Sequence, residues 1–193
     1  MIKLQKKGCH NINLVSPSHQ VPAILEALDI AAGMGLTLPI VYNTGGYDAV
    51  ETLRLLDGVI DIYMPDAKYG DNETAYALSG AANYVDLMKE ALREMHRQVG
   101  DLIIQNGIAE RGMIIRHLVL PGKLAGTEQV MKFIAEDLSR QSYVNIMLQY
   151  RPAWKVHEAD PKYRAIQKPI TYSEYEQAVK IALSYGLTRG ISW

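Results

Sequence analysis

Short apolar runs alternate along the chain with longer stretches whose apolar residues recur at helical spacing. Ile12–Ser16 reads as a strand, and within Pro22–Met34 the residues Ile24, Leu25, Leu28, Ala31 and Ala32 share one helical face closed by Gly33 and Gly35. Pro39–Tyr42 is the next strand, ended by Thr44-Gly45-Gly46, and Val50, Leu53 and Leu56 mark a helix stopped at Gly58. Val59–Met64 is a third strand. A polar loop from Asp66 to Thr74 follows, and then a long helix with Tyr84, Leu87, Met88, Ala91, Leu92 and Met95 on one face, ended by Gly100. Residues 101–112 read as a surface loop. Met113–Leu120 is the most strand-like segment and is broken by Pro121-Gly122. Thr127–Arg140 is amphipathic through Val130, Phe133, Ile134 and Leu138, Val144–Leu148 predicts a fifth strand, and 151–170 reads as irregular. Thr171-Tyr-Ser-Glu174 is a capping-box pattern opening a final helix that stops at Gly186.

Strands joined by helices imply right-handed crossovers and a parallel sheet, so the fold class is α/β. In parallel sheets ligands sit beyond the carboxyl ends of the strands. That leaves few candidates: Ser16-Pro17-Ser18-His19, Asn43-Thr44-Gly45-Gly46, Asp66-Ala67-Lys68-Tyr69, Arg116-His117 with Pro121-Gly122, and Gln149-Tyr150-Arg151.

Length narrows the architecture. At 193 residues the chain is short for a complete eight-unit barrel, which takes about 250, and one domain spanning 1–193 is expected. A net charge of −1 gives no global field for nucleic acid, and no run approaches the ~20 apolar residues of a membrane span. The single cysteine, Cys9, forms no internal disulfide, and the chain reads as cytoplasmic. Twelve tyrosines against one phenylalanine point to rings with one wet end around a polar cleft. The N-terminal Met1-Ile-Lys-Leu-Gln-Lys-Lys reads as the last turns of a helix stopped by Gly8, which implies that the rest of that helix is missing.

Asp66 and Lys68 share a strand parity and would converge on one spot; a rim salt bridge accounts for the same pair. Arg116 interrupts an apolar strand and needs a ligand or an acidic partner, Asp61 or Asp66. Asn43 and Thr44 bind a ligand or shape the Gly-Gly turn, the turn being the simpler account, and Asn13 on its strand is equally open. The histidines at 10, 19, 96, 117 and 157 form no pair at metal-ligand spacing, and no metal ligand is assigned. Phosphate-loop, dinucleotide and nucleophile-elbow patterns are absent.

Four motifs stand in order: Gly8-Cys-His-Asn-Ile-Asn-Leu-Val-Ser-Pro, Pro39-Ile-Val-Tyr-Asn-Thr-Gly-Gly-Tyr, Leu56-Asp-Gly-Val-Ile-Asp-Ile-Tyr-Met-Pro-Asp-Ala-Lys-Tyr and Ile115-Arg-His-Leu-Val-Leu-Pro-Gly. Together, over nearly the whole chain, they resemble the radical S-adenosylmethionine superfamily, in the branch similar to pyruvate formate-lyase activating enzyme. The resemblance implies a partial parallel (β/α) barrel, here without its first strand-helix unit. It implies a [4Fe-4S] cluster on a Cys-x3-Cys-x2-Cys loop, S-adenosylmethionine as cofactor, and a glycyl-radical enzyme or other protein as the partner from which hydrogen is abstracted. It places Asn13 near the methionine end of the cofactor, although the usual Gly-Gly-Glu is absent. Asn43 and Thr44 match a third-strand polar pair, with Asn where activating enzymes often have Asp. Asp66 and Lys68 match an Asp-x-Lys at the fourth strand end, and Arg116 matches an arginine of an Arg-x-x-Val-x-Pro-Gly strand. Arg151 stands where activating enzymes use a histidine.

One cysteine cannot hold a cluster that needs three thiolates, so the chain alone is expected to be inactive. Without a preceding strand, Ile12–Val15 becomes an open parallel edge suited to self-association. Two other readings remain: a non-catalytic module that binds a nucleotide-like ligand or pairs through that edge, and a cluster-free barrel enzyme with Lys68 as nucleophile or base.

Overall fold

A computed structural model describes residues 1–157 and 160–191. Its strands are β1 (Ile12–Val15), β2 (Ile40–Thr44), β3 (Ile62–Pro65), β4 (Ile103–Gln105), β5 (Ile108–Leu118) and β6 (Tyr143–Met147). Its helices are α1 (Ile2–Lys6), α2 (Val21–Gly33), α3 (Val50–Arg54), α4 (Asn72–Ser79), α5 (Tyr84–Val99), α6 (Thr127–Phe133) and α7 (Tyr172–Ser184). The chain divides into two compact units. One comprises Met1–Pro65 and Glu90–Ile114; the other comprises Asp66–Lys89 and the chain from Ile115 onward.

In the first unit the strand order is β1-β2-β3-β5-β4, with β1, β2, β3 and β5 parallel. The register pairs Asn13 with Val41 and Val15 with Asn43, and Asn43 in turn with Met64. Tyr42 and Tyr63 are fully buried, as are Leu53 of α3 and Ala91, Leu92 and Met95 of α5. Such near-continuous burial is what a parallel strand covered by helices requires. β1 ends the strand order and its Val15 is 67% exposed. Helix α2 is apolar around most of its circumference, yet only Val21, Leu28 and Ala31 are buried while Ile30 and Met34 stand open. A helix of that composition normally has cover on both sides.

Three expectations need correction. Residues 101–112 are not a surface loop: β4 and the start of β5 form an antiparallel hairpin closed by Asn106-Gly107, with φ of 51° and 79°. Positive φ at both turn residues is the geometry that Asn-Gly favours, and its twist matches paired strands. The parallel order β1-β2-β3-β5 is therefore extended by an antiparallel strand, β4. The polar loop after Asp66 also ends early, at Asp71, whose carboxylate caps α4 by accepting from the Thr74 amide at 2.7 Å. Gly80, at φ 66°, closes that helix, so α4 and α5 are distinct.

In the second unit, β6 pairs with β5, and the Val119 amide donates to the Met147 carbonyl at 3.0 Å. Helix α6 runs into a π turn over Ile134–Leu138. The capping box of α7 is complete: Glu174 accepts from the Thr171 amide at 2.8 Å, and the Glu174 amide donates to Thr171 Oγ1 at 3.2 Å. Ile115, Met131, Ile134, Val144, Val179 and Ala182 make the core. The segment 151–170 holds two short 3-10 turns, Trp154–His157 and Pro161–Ile166. Among the described residues no helix is long and apolar enough to cross a membrane.

Candidate functional site

The second unit begins where β3 ends, and its first residues carry the candidate chemistry. Asp66 forms a parallel bridge with Arg116 of β5, and the Ala67 amide donates to the Arg116 carbonyl at 2.8 Å. The backbone pairing places the two side chains together. Arg116 Nη2 lies 2.6 Å from Asp66 Oδ1, and Lys68 Nζ donates to Asp66 Oδ2 at 2.5 Å. Of the two acids expected to answer Arg116, it is Asp66 that does so; Asp61 instead accepts from the Ile40 amide at 2.8 Å. One carboxylate thus sits between two cations. The carboxylate is 16% exposed, the guanidinium 23% and the ammonium 40%, so the cluster opens to solvent on the Lys68 side. Asp66 Oδ1 is buried and, among the described residues, accepts no well-aligned hydrogen bond; the guanidinium meets it as an ion pair only.

The turn beneath these side chains is fixed at each peptide group. Tyr84, the first residue of α5 and buried, donates its hydroxyl to the Asp66 carbonyl at 3.1 Å and accepts from the Lys68 amide at 2.9 Å. His117, fully buried, has Nδ1 2.7 Å from the Ala67 carbonyl and Nε2 2.9 Å from Thr127 Oγ1. Burial pushes the His117 imidazole down to about 4, so it is neutral; Nδ1–H donates to Ala67 and Nε2 accepts from Thr127. Burial likewise pushes the Tyr84 phenol up, which keeps its proton in place for donation. The Tyr84 ring meets Tyr69 edge-on at 5.5 Å, and the Tyr69 hydroxyl lies 2.7 Å from Ser79 Oγ. Farther along, the Gly70 amide donates to the Ala125 carbonyl at 3.0 Å.

The first unit carries a separate polar cluster at the end of β2. Asp48 is buried and accepts from three hydroxyls: Ser18 at 2.6 Å and Tyr42 at 3.1 Å on Oδ1, and Thr44 at 2.5 Å on Oδ2. Burial, and then the charge of Asp48, raise the Tyr42 phenol. Thr44 Oγ1 also accepts from the Gly46 amide at 3.3 Å, so Thr44 is committed to the turn. Alternation along β2 sends Asn43 to the opposite face, the face it shares with Asn13 and Val15. Asn13 is exposed on the open strand, and Asn43 is partly buried.

Asp66, Lys68 and Arg116 are therefore brought together. Arg151 is exposed between β6 and the first 3-10 turn, and among the described residues it makes no hydrogen bond or ion pair with that cluster. Sequence reasoning places Ser18 and His117 among the strand-end candidates without a role for either, and does not single out Tyr84 or Asp48. The signal for the tyrosines is their number, but its physical meaning differs from the expectation. Tyr42, Tyr63, Tyr69 and Tyr84 are buried, with hydroxyls that bond Asp48, Gln98, Ser79 and the Asp66–Lys68 segment. Among the described residues, no three His, Cys, Asp or Glu side chains form a group that could hold a metal.

No family model matches the sequence. An uncharacterized protein of Methanocaldococcus jannaschii is 35% identical over 188 residues, which is 97% of this chain and 50% of that protein. The chain thus spans about half the length of the curated relative it matches. Among solved structures, a domain of a pyruvate-formate lyase-activating enzyme from Bacteroides vulgatus superimposes with a TM-score of 0.65, over 96% of this chain and all of that domain, at 15% identity. At that identity the likeness concerns the fold, and the mixed α/β, largely parallel architecture of this chain is the fold of that activating-enzyme domain.

Proposed function

We propose that this chain is the cofactor-gripping C-terminal part of a radical S-adenosylmethionine protein of the glycyl-radical-activating type. The observation that carries the reading is the Asp66 carboxylate, which stands between the Lys68 ammonium on Oδ2 and the Arg116 guanidinium on Oδ1 in a cluster that opens to solvent on the Lys68 side, on a segment held at each peptide group. The fold shared with an activating-enzyme domain supports it. An acid flanked by two bases suits the amino-acid end of S-adenosylmethionine, with Asp66 toward the ammonium and Lys68 and Arg116 toward the carboxylate. In that family the bound cofactor supplies hydrogen-abstracting radical chemistry.

The residues present do not fit the iron-sulfur cluster. Three thiolates are required and Cys9 is the sole cysteine. No step of the reaction is therefore assigned to this chain, whose part is to bind and orient, and which we take to be inactive alone. A glycyl-radical enzyme as partner and roles for Asn13, Asn43, Thr44 and Arg151 belong to the same proposal and rest on the resemblance alone, and a cytoplasmic location rests on the single cysteine and the lack of a long apolar run. Lys68 as nucleophile or base of a cluster-free enzyme is the less supported alternative, because its Nζ is engaged by Asp66.

The test compares this chain with the product of the same gene read from any in-frame upstream sequence, both reconstituted anaerobically with iron and sulfide. The proposal expects cluster and 5′-deoxyadenosine formation only in the longer product. Cleavage by the chain alone, or by neither, contradicts it.

A second reading, a module that pairs through its open edge, is favoured by β1. The Ile12 amide donates to the Pro39 carbonyl just before β2 and the Ser16 amide to the Asn43 carbonyl of β2, which leaves the main-chain groups of Asn13 and Val15 directed away from β2. The open side of α2 lies in the same unit.

A further inference from the structure

We infer that Tyr84 is a positioning residue of the charged site: its phenol, bonded on both sides, sets where the Lys68 ammonium stands against Asp66 and Arg116. The inference rests on reading that site as a ligand grip.

The Asp66–Lys68 segment lies beyond the ladder of β3, and its remaining polar groups need partners from elsewhere. Arg116 supplies one through its carbonyl, and His117 supplies a second through Nδ1. The remaining two, the Asp66 carbonyl and the Lys68 amide, both go to one atom, the Tyr84 hydroxyl, at 3.1 and 2.9 Å. Tyr84 thus spans the two residues whose side chains form the ion pair, and it does so from a helix eighteen positions away in sequence. A phenylalanine there would keep the ring and its edge contact with Tyr69 but leave a partly buried amide and carbonyl without that partner. The cheapest relief is rotation of the peptides, which carries the Lys68 side chain away from the carboxylate. Asp66 remains fixed by its bridge to Arg116, so the change falls on the position of one cation relative to the other.

This differs from a general packing role, and the difference is measurable. S-adenosylhomocysteine carries a charged amino-acid end; 5′-methylthioadenosine carries the same nucleoside without it. Titration calorimetry with both ligands on the wild-type chain, Tyr84→Phe and Tyr69→Phe separates the roles, since Tyr69→Phe removes a neighbouring buried hydroxyl that does not touch the turn. Tyr84→Phe is expected to weaken S-adenosylhomocysteine by about tenfold or more and methylthioadenosine by less than about twofold, with no such split for Tyr69→Phe. Equal weakening of both ligands, or of neither, overturns the inference.

If the wild-type chain binds neither nucleoside, the ligand-grip reading fails and the positioning claim is decided on the unliganded protein. There, Tyr84→Phe is expected to move the Lys68 Nζ resonance and to speed exchange of the Lys68 amide by about tenfold or more while distant amides keep theirs. An unmoved Nζ resonance overturns it.

Discussion

Asp66 and Arg116 are joined twice, through a parallel backbone bridge and through a 2.6 Å contact between carboxylate and guanidinium. The pairing of main chains fixes the pairing of charges, because residues opposite each other on neighbouring strands project to the same face. Both groups are largely withdrawn from water, so their separation is costly in a way that loss of an exposed pair is not.

Asp66→Asn is accordingly expected to destabilise the chain by about 2–3 kcal/mol, since it leaves two neighbouring cations without their acid. Lys68→Ala, which removes a 40% exposed ammonium, is expected to cost less than about 1 kcal/mol. Urea unfolding of both variants at neutral pH measures the difference. Equal losses would mean that the acid is no more withdrawn from water than the lysine and contradict the burial described.

His117 gives the fold an acid sensitivity. Its pKa is depressed to about 4 by burial against an ordinary value of 6.5, so the neutral form is the one the fold accepts. The stability it contributes is fully present above about 6.5 and is lost as pH falls towards 4, a total of roughly 3 kcal/mol. Glu94 acts in the same direction but lower: hydrogen bonds from Arg97 hold it at about 2, so its contribution fades only below about 4.5. Unfolding free energy measured from pH 7 to 4 should fall for the native chain and flatten in His117→Gln, which starts less stable at pH 7. A native profile without that slope contradicts a buried neutral imidazole.

Much of this architecture is visible in the sequence because burial and period coincide. The apolar runs of β2 and β3 are buried on both faces, and the Ala91, Leu92 and Met95 stripe is the buried side of α5. Arg116 is conspicuous for the complementary reason: a guanidinium in an apolar strand requires a counter-charge, and one is there. The hairpin at 101–112 is hidden because Ile103, Ile104 and Ile108 are exposed and give no one-sided alternation, although Asn106-Gly107 is itself a turn signal. Helix α4 buries only Ala75 and depends on its Asp71 cap, so it has no apolar stripe to detect. Tyr84 and His117 reach the Asp66–Lys68 turn from eighteen and fifty positions away, a relationship that no local pattern encodes.

Gly70 and Gly126 hold two loops of the second unit against each other. A Cβ at Gly70 would strike the Gly126 carbonyl oxygen and lie 2.9 Å from Gln129 Cβ, and Gly126 has φ of 60°. Backbone cannot yield as a flexible side chain does, so Gly70→Ala is expected to cost about 1–3 kcal/mol or more, measured by thermal and urea unfolding. Gly35→Ala, where the φ is 86° but nothing lies within 4 Å, should cost only its backbone strain, about 1 kcal/mol. A smaller loss at Gly70 than at Gly35 would contradict the close approach.

The open edge gives a prediction for association. Val15 projects from β1 with main-chain groups directed outward, and a lysine there discourages strand addition. Sedimentation of the chain should show concentration-dependent self-association that Val15→Lys reduces. A chain that is monomeric at all concentrations removes the support for the edge-pairing reading.

Direct titration of S-adenosylmethionine into the 193-residue chain tests most simply whether Asp66, Lys68 and Arg116 grip its charged end, as proposed. The account predicts saturable binding that Arg116→Met and Asp66→Asn each weaken by about tenfold or more, as expected for a lost charge-assisted contact. Absence of binding, or binding that both variants leave unchanged, would contradict it.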